Sequence, residues 1–282
     1  MRRLSILYAM VAAMPGFGEA ADRPELGQII DHYNQLDDSH WPLPRPDAKE
    51  LAAISNGEVV SKRQQIEIDT GDSAYRVVGY VLVPTSRLRV WIATLSSSTE
   101  HSESMIEIPL GIDASGGASW YQYLDLPWPA VDRQWLIQTG KRLSLAEQSG
   151  GLLWEHQWDL QADGQTLSRS LGALGKLPGV SEKQLRKAVY VPANTGGWVM
   201  AAADENSTLV IVHATAELGG RLPDALVARF VNRQFRRVLS RLEGRAQQAE
   251  ESLLESSVLF TGNGKRITPD MLSRTQGLAS KD

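Results

Sequence analysis

The stretch Leu222–Ala246, LPDALVARFVNRQFRRVLSRLEGRA, decides the fold. Pro223 stands where a first helical turn begins, where its fixed φ suits the helix and its missing N–H breaks no bond. Behind it Val227, Val231, Phe235, Val238, Leu239 and Leu242 recur at three- and four-residue steps, with Ala228 and Ala246 beside them. That spacing puts them on one side of an α-helix. Arg229, Arg233, Arg236, Arg237 and Arg241 fall on the other side. The chain before this helix reads mostly as strands, so the helix has to bury its stripe on a sheet. We read the sheet as curling around it.

Upstream, the strands follow one another with short turns. Val59–Ile68 ends in the turn cluster Asp69-Thr70-Gly71-Asp72, and Tyr75–Val83 runs back beside it. Pro84-Thr85-Ser86 starts a short helix in which Leu88, Trp91, Ile92 and Leu95 share a face. Met105–Ile112, Ser119–Leu124 and Gln134–Leu143 read as strands, and Leu152–Leu160 alternates most cleanly of all. Leu152, Trp154, His156, Trp158 and Leu160 take one face there, Glu155, Gln157 and Asp159 the other. Asp163-Gly164 reads as a tight turn and Ser170–Glu182, with its glycines and proline, as a long loop. Leu185–Pro192, Gly197–Ala203 and Thr208–Ala216 complete the strands. Consecutive antiparallel strands with helices on one side make the fold class α+β. Strongly curved, such a sheet wraps the terminal helix and leaves a space between them.

The 282 residues fit one large domain or two small ones, and the formal charge of −4 argues against a nucleic-acid partner. Arg2 and Arg3, the apolar run Leu4–Met14 and the small residues Gly18-Glu19-Ala20 have the layout of a signal peptide over residues 1–20. The alternative is an uncleaved N-terminal anchor, for which the run is shorter than the ~20 residues a spanning helix needs. An exported protein, periplasmic in a Gram-negative cell or secreted, is the expectation. With no cysteine there is no disulfide and no thiolate metal site. Residues 21–46 read as an extension and connector, with a short helix over Glu25–Leu36 and an extended Trp41-Pro42-Leu43-Pro44. Asp47 caps another helix through Ile54. Residues 47–249 form the main domain, and 250–282 a polar tail that packs loosely or frays.

Three stretches carry a family resemblance. Tyr121–Arg133, YQYLDLPWPAVDR, resembles the aromatic strand, Pro-Trp-Pro and Asp-Arg segment of START (lipid-transfer) domains. Gly197-Trp198 with Thr208–Val212 is similar to that family's Gly-Trp strand and the Thr-led strand after it. Glu217–Pro223 resembles the turn that launches its last helix. The likeness covers residues 57–246 and implies the helix-grip (SRPBCC-like) fold: a U-shaped antiparallel sheet around a long C-terminal helix, enclosing a tunnel for a sterol, phospholipid or similar molecule. Two departures stand out. The usual Asp-Pro-Gly before the last helix is Glu217-Leu218-Gly219, and Thr139 stands where many members carry a buried arginine. Pro127, Trp128 and Pro129 then form a rigid corner, and Asp132 and Arg133 clamp the next strand.

Catalytic patterns are missing: no His-Glu-x-x-His, phosphate loop or nucleophile elbow occurs. No cofactor and no metal is expected. Among the five histidines, His32, His40, His101 and His213 carry no pattern, and His156 stays as a candidate. Lying between Trp154 and Trp158 on one face, it would fix a ligand hydroxyl or act as a base, or else be a core histidine bonded to a carbonyl or water. The expected cavity lining is Trp135, Ile137, Trp154, His156, Trp158, Trp198, Val231, Phe235 and Val238. Leu226 and Phe230 lie toward the arginine side of the helix and form a candidate gate. The arginine row is either a solvated face or a contact for an anionic membrane surface. The sequence thus points to non-catalytic binding or carriage of a hydrophobic ligand: a lipid, a sterol-like or a polyketide-like molecule. Two alternatives stand beside it, a polyketide cyclase or aromatase on the same fold and an interaction module with a filled core.

Overall fold

The computed structural model describes residues 25–36, 42–67, 73–95, 105–113, 116–219, 224–247 and 258–276. The expected signal peptide, His40 and His101 lie outside these, as do the side chains of Leu226, Phe230 and Val231. Strands β1 (Val60–Glu67), β2 (Ser73–Val83), β3 (Met105–Ile112), β4 (Ala118–Leu124), β5 (Arg133–Lys141), β6 (Leu153–Leu160), β7 (Val189–Tyr190), β8 (Ala193–Ala202) and β9 (Thr208–Glu217) make one sheet. Its order is β1-β2-β9-β8-β6-β5-β4-β3, antiparallel throughout except where β7 runs parallel to β5. The sheet is open and curved, and the class is α+β, as expected.

Alternation sorts the strands' side chains onto two faces, because directly paired residues share a face. His156 pairs with Trp198, Trp198 with Val212 and Val212 with Gly79, while Trp158 pairs with Thr139 and Ile137 with Trp120. This is the inner face. It is covered by α3 (Arg87–Leu95) and by the long helix α7 (Asp224–Gln247), the helix expected from the quoted stretch. Leu239, Leu242 and Ala246 of α7 are buried against Val81 and Val83 of β2 and against α3. Gly79 permits the close approach: a Cβ there would stand 2.8 Å from Leu239 Cδ1.

Helices lie on both faces, not on one. On the outer face α1 (Leu26–Leu36) buries Ile29, Ile30 and Tyr33 against Val78, Tyr80, Leu153, Val199 and Ile211. Beside it runs α2 (Ala48–Ser55), capped reciprocally by Asp47 and Glu50. The expected loop over Ser170–Glu182 holds for residues 174–181, with α5 (Gly164–Ala173) and α6 (Glu182–Lys187) taking its two ends, and the expected strand over Leu185–Pro192 shrinks to the two residues of β7. Two signals explain the difference. Ser181 and Gln184 form a capping box for α6, and the glycines of α5 serve packing. A Cβ at Gly172 would stand 2.2 Å from Leu185 of α6, and one at Gly164 would strike the Tyr190 hydroxyl. A short α4 (Leu143–Gln148) also follows β5.

The C-terminal segment is not a loose tail over residues 258–276. It turns back through a Phe260–Arg266 bridge into α8 (Pro269–Gln276) and buries Leu259, Ile267 and Leu272 in the inner core. Its apolar residues are too few and too scattered to show periodicity, so their burial was not legible locally.

Candidate functional site

The strand β6 organises the inner face. Trp154, His156 and Trp158 do project from one side of it, as the alternation requires. What covers them differs along the strand. Trp154 lies under α3, its ring edge-on to Trp91 at 5.6 Å and Arg87 stacked on it at 3.9 Å. The C-terminal segment closes this end: the Trp91 indole N–H donates to the Phe260 carbonyl at 2.8 Å. A Cβ at Gly262 would stand 2.3 Å from Trp154, so only glycine fits.

His156 is 3% exposed, with the edge of Trp91 at 5.2 Å and Trp198 tilted at 6.4 Å. Its Nε2 meets Thr94 Oγ1 at 2.9 Å. Burial pushes its pKa down to about 4, only weakly opposed by the charge of Glu155, so the ring is neutral at pH 7. Its Nδ1 and the Nε1 of Trp154 are buried without a hydrogen-bond partner.

Farther along, Trp158 lies across Gly196, where a Cβ would stand 2.3 Å from the ring and from the His213 carbonyl. That placement lets its N–H donate to Asn194 Oδ1 at 3.0 Å. Trp135 and Ile137 belong to a second inner cluster with Leu124 and Val191, and the Trp135 N–H donates to Gln122. Trp158 touches both this cluster and the one under α3, and it is the expected residue that joins them. Trp158, Trp198, Phe235 and Val238 remain half-buried. The structure thus brings Trp154, His156, Trp158, Trp198 and Phe235 to one cluster and sets Trp135 and Ile137 in its neighbour.

Hydrogen bonds hold the corner before β5. Asp132 accepts from the Tyr123 hydroxyl and from the Leu126 N–H. Arg133, 2% exposed, donates to the carbonyls of Val131, Leu218 and Gly219, which ties the corner to the segment leading into α7. Trp128 points away and is 92% exposed.

Three features had no local signal. An open cleft of about 570 Å³, lined by Val59, Val81, Val83, Leu239, Ser240 and Glu243 among others, sits beside the C-terminal half of α7. None of the expected lining residues whose side chains are described lines it. Trp91 and Thr94 come to His156 from a helix some sixty positions earlier. On the outer face, Glu155 is fully buried and is bonded by His213 at 3.0 Å, Arg142 at 3.1 Å and Tyr33 at 3.2 Å. Burial drives the Glu155 carboxyl upward, but the His213 hydrogen bond and the charges of His213 and Arg142 outweigh it and hold it below the usual range. Among the described residues no group of three acidic or histidine side chains is placed to hold a metal.

No protein-family model and no curated protein sequence matches this chain. Solved structures do. A STAR-related lipid transfer protein from Xanthomonas axonopodis aligns with a TM-score of 0.50 at 14% identity, over 74% of this chain and 100% of that one. Human STARD10 aligns with a TM-score of 0.47 at 8% identity, over 77% of this chain and 86% of that one. The ZhuI aromatase/cyclase of a Streptomyces species aligns with a TM-score of 0.39 at 12% identity, over 63% and 94%. Identities this low speak to architecture alone. With the curved sheet, the strand order and the long C-terminal helix already established, the chain has the START-type helix-grip fold.

Proposed function

We propose that this protein binds one hydrophobic molecule reversibly between the curved sheet and α7, without altering it chemically. The observation that carries this reading is the half-burial of Trp158, Trp198 and Phe235. Trp158 and Trp198 project from the concave side of the sheet and Phe235 from α7 toward β2, where a filled core would have enclosed all three. Contact with an apolar ligand would remove the remaining surface from water, at about 25 cal/mol per Å². A lipid, a sterol-like or a polyketide-like molecule suits such a wall. The lipid-transfer protein with the same fold is in keeping with this.

The N-terminal signal pattern assigns this binding to the periplasm or the exterior. Arg233, Arg236 and Arg241 lie exposed along α7, and transient contact with an anionic membrane is the partner we assign to that row. A cyclase-type enzyme is the second reading, favoured by the one neutral, partly unpaired imidazole on the inner face. Native mass spectrometry of gently purified protein tests these readings. A co-purified apolar molecule released unchanged by solvent supports carriage; a molecule converted during incubation supports the enzyme. Absence of any bound molecule together with failure to bind Nile red would leave a filled interaction module.

A further inference from the structure

We propose that the cleft beside the C-terminal half of α7 binds a small amphiphilic amine, with its apolar body on the cleft floor and its ammonium group against Glu243. This site is separate from the concave wall and does not rest on the reading above. The cleft exists because two neighbouring strands end at different places. β1 begins at Val60, opposite Tyr80, while β2 continues to Val83. Val81, Leu82 and Val83 pair with β9 on one side, and among the described residues no strand pairs with them on the other. α2 ends at Ser55, and Gly57, in the left-handed region at φ 78°, turns the chain toward β1 beside this uncovered stretch. Leu239, Ser240 and Glu243 of α7 complete the lining. Its volume of about 570 Å³ falls within the ~300–1,000 Å³ usual for small-molecule sites.

The floor is aliphatic: Val81, Val83 and Leu239 are buried members of the inner core, and Val59 packs against it. The polar groups lean one way. Ser55 Oγ donates to the Leu51 carbonyl at 2.9 Å and Ser240 Oγ to the Arg237 carbonyl at 3.1 Å, so each has spent its one proton within its own helix. A ligand that meets either oxygen meets an acceptor. The Glu243 carboxylate only accepts; one of its oxygens takes the Gln247 amide at 3.2 Å, and no described lysine, arginine or histidine lines the cleft. Asn56 and Ser207 serve either way and leave that balance unchanged. Aliphatic carbon edged by acceptors and one negative charge is complementary to an apolar amine. An acid or a phosphate would set like charges together, and an alcohol has one proton to give and leaves the carboxylate's charge unanswered.

The test is calorimetric titration of the full chain at pH 7 with octylamine, octanol and octanoate. Octylamine is expected to bind roughly fivefold tighter than octanol, the worth of one partly exposed ion pair, and octanoate weakest. The preference for the amine should vanish in Glu243→Gln and shrink at high salt, and Glu243→Lys should turn it toward octanoate. Glu243 is exposed, so both variants should keep the fold, which a circular dichroism melt checks. Amide NMR of the wild-type chain needs no variant: octylamine should shift the resonances of Val59, Ser207 and Ser240. Equal binding of the three probes, or an amine preference that survives Glu243→Gln, would overturn the proposal. So would shifts confined to Trp158, Trp198 and their neighbours, which would place the amine on the concave wall. The two readings fail separately: Nile red that does not bind sinks carriage at the concave wall, whereas the cleft is judged on octylamine and Glu243.

Discussion

His156 gives the fold an acid sensitivity with a defined window. Its folded pKa is about 4 against an ordinary 6.5, because burial disfavours the imidazolium. The unfolded chain therefore binds a proton that the folded one refuses between these values. Stability is complete above pH 6.5 and declines as the pH falls toward 4, by about 3 kcal/mol in total. Urea unfolding between pH 7 and 4 should show this slope, and His156→Asn should flatten it. Glu155 adds its own loss lower down, since a carboxyl held below its usual range stabilises above that range and stops doing so as it is protonated. The position of His156 was legible because period-two alternation leaves it no other face. Its partner Thr94 was not, because a contact across 62 positions leaves no mark on neighbouring residues.

Among the elements, the corner between β4 and β5 separates a structural arginine from an exposed tryptophan only five positions away. Replacing Arg133 by Ala strips four carbonyls of this donor and should cost about 3 kcal/mol, or roughly 6–12 °C of melting temperature. Trp128→Ala removes a side chain that touches little, and the change should stay within about 0.5 kcal/mol. Calorimetry of the two variants decides; equal melting points would refute the assigned roles. The long helix and most strands were legible from hydrophobic spacing. The helices α5 and α6 were not, because Gly172 and Gly164 look like loop residues until their neighbours Leu185 and Tyr190 are in place.

At the scale of the molecule, the sheet is a shared wall between two cores, and both ends of the chain contribute to them. Ile29, Ile30, Tyr33 and Leu43 complete the outer core, and Leu259, Ile267 and Leu272 the inner one. Each such side chain contributes about 1.5–3 kcal/mol on burial, so the seven together come to about 10–20 kcal/mol, as much as the 5–15 kcal/mol that holds a typical domain folded. A chain cut to residues 47–249 should therefore fail to fold cooperatively, whereas one spanning residues 21–282 should. Circular dichroism melts of the two check this. The overall α+β plan could be read because one amphipathic helix after many strands has few homes. The terminal segments could not, since their few apolar residues gain meaning only from surfaces built elsewhere. The wide separation of Trp128 from its counterparts has an optical consequence. Every other described tryptophan is buried or half-buried, so among the described tryptophans a dissolved quencher such as acrylamide reaches Trp128 first, and Trp128→Phe should remove the most readily quenched part of their emission.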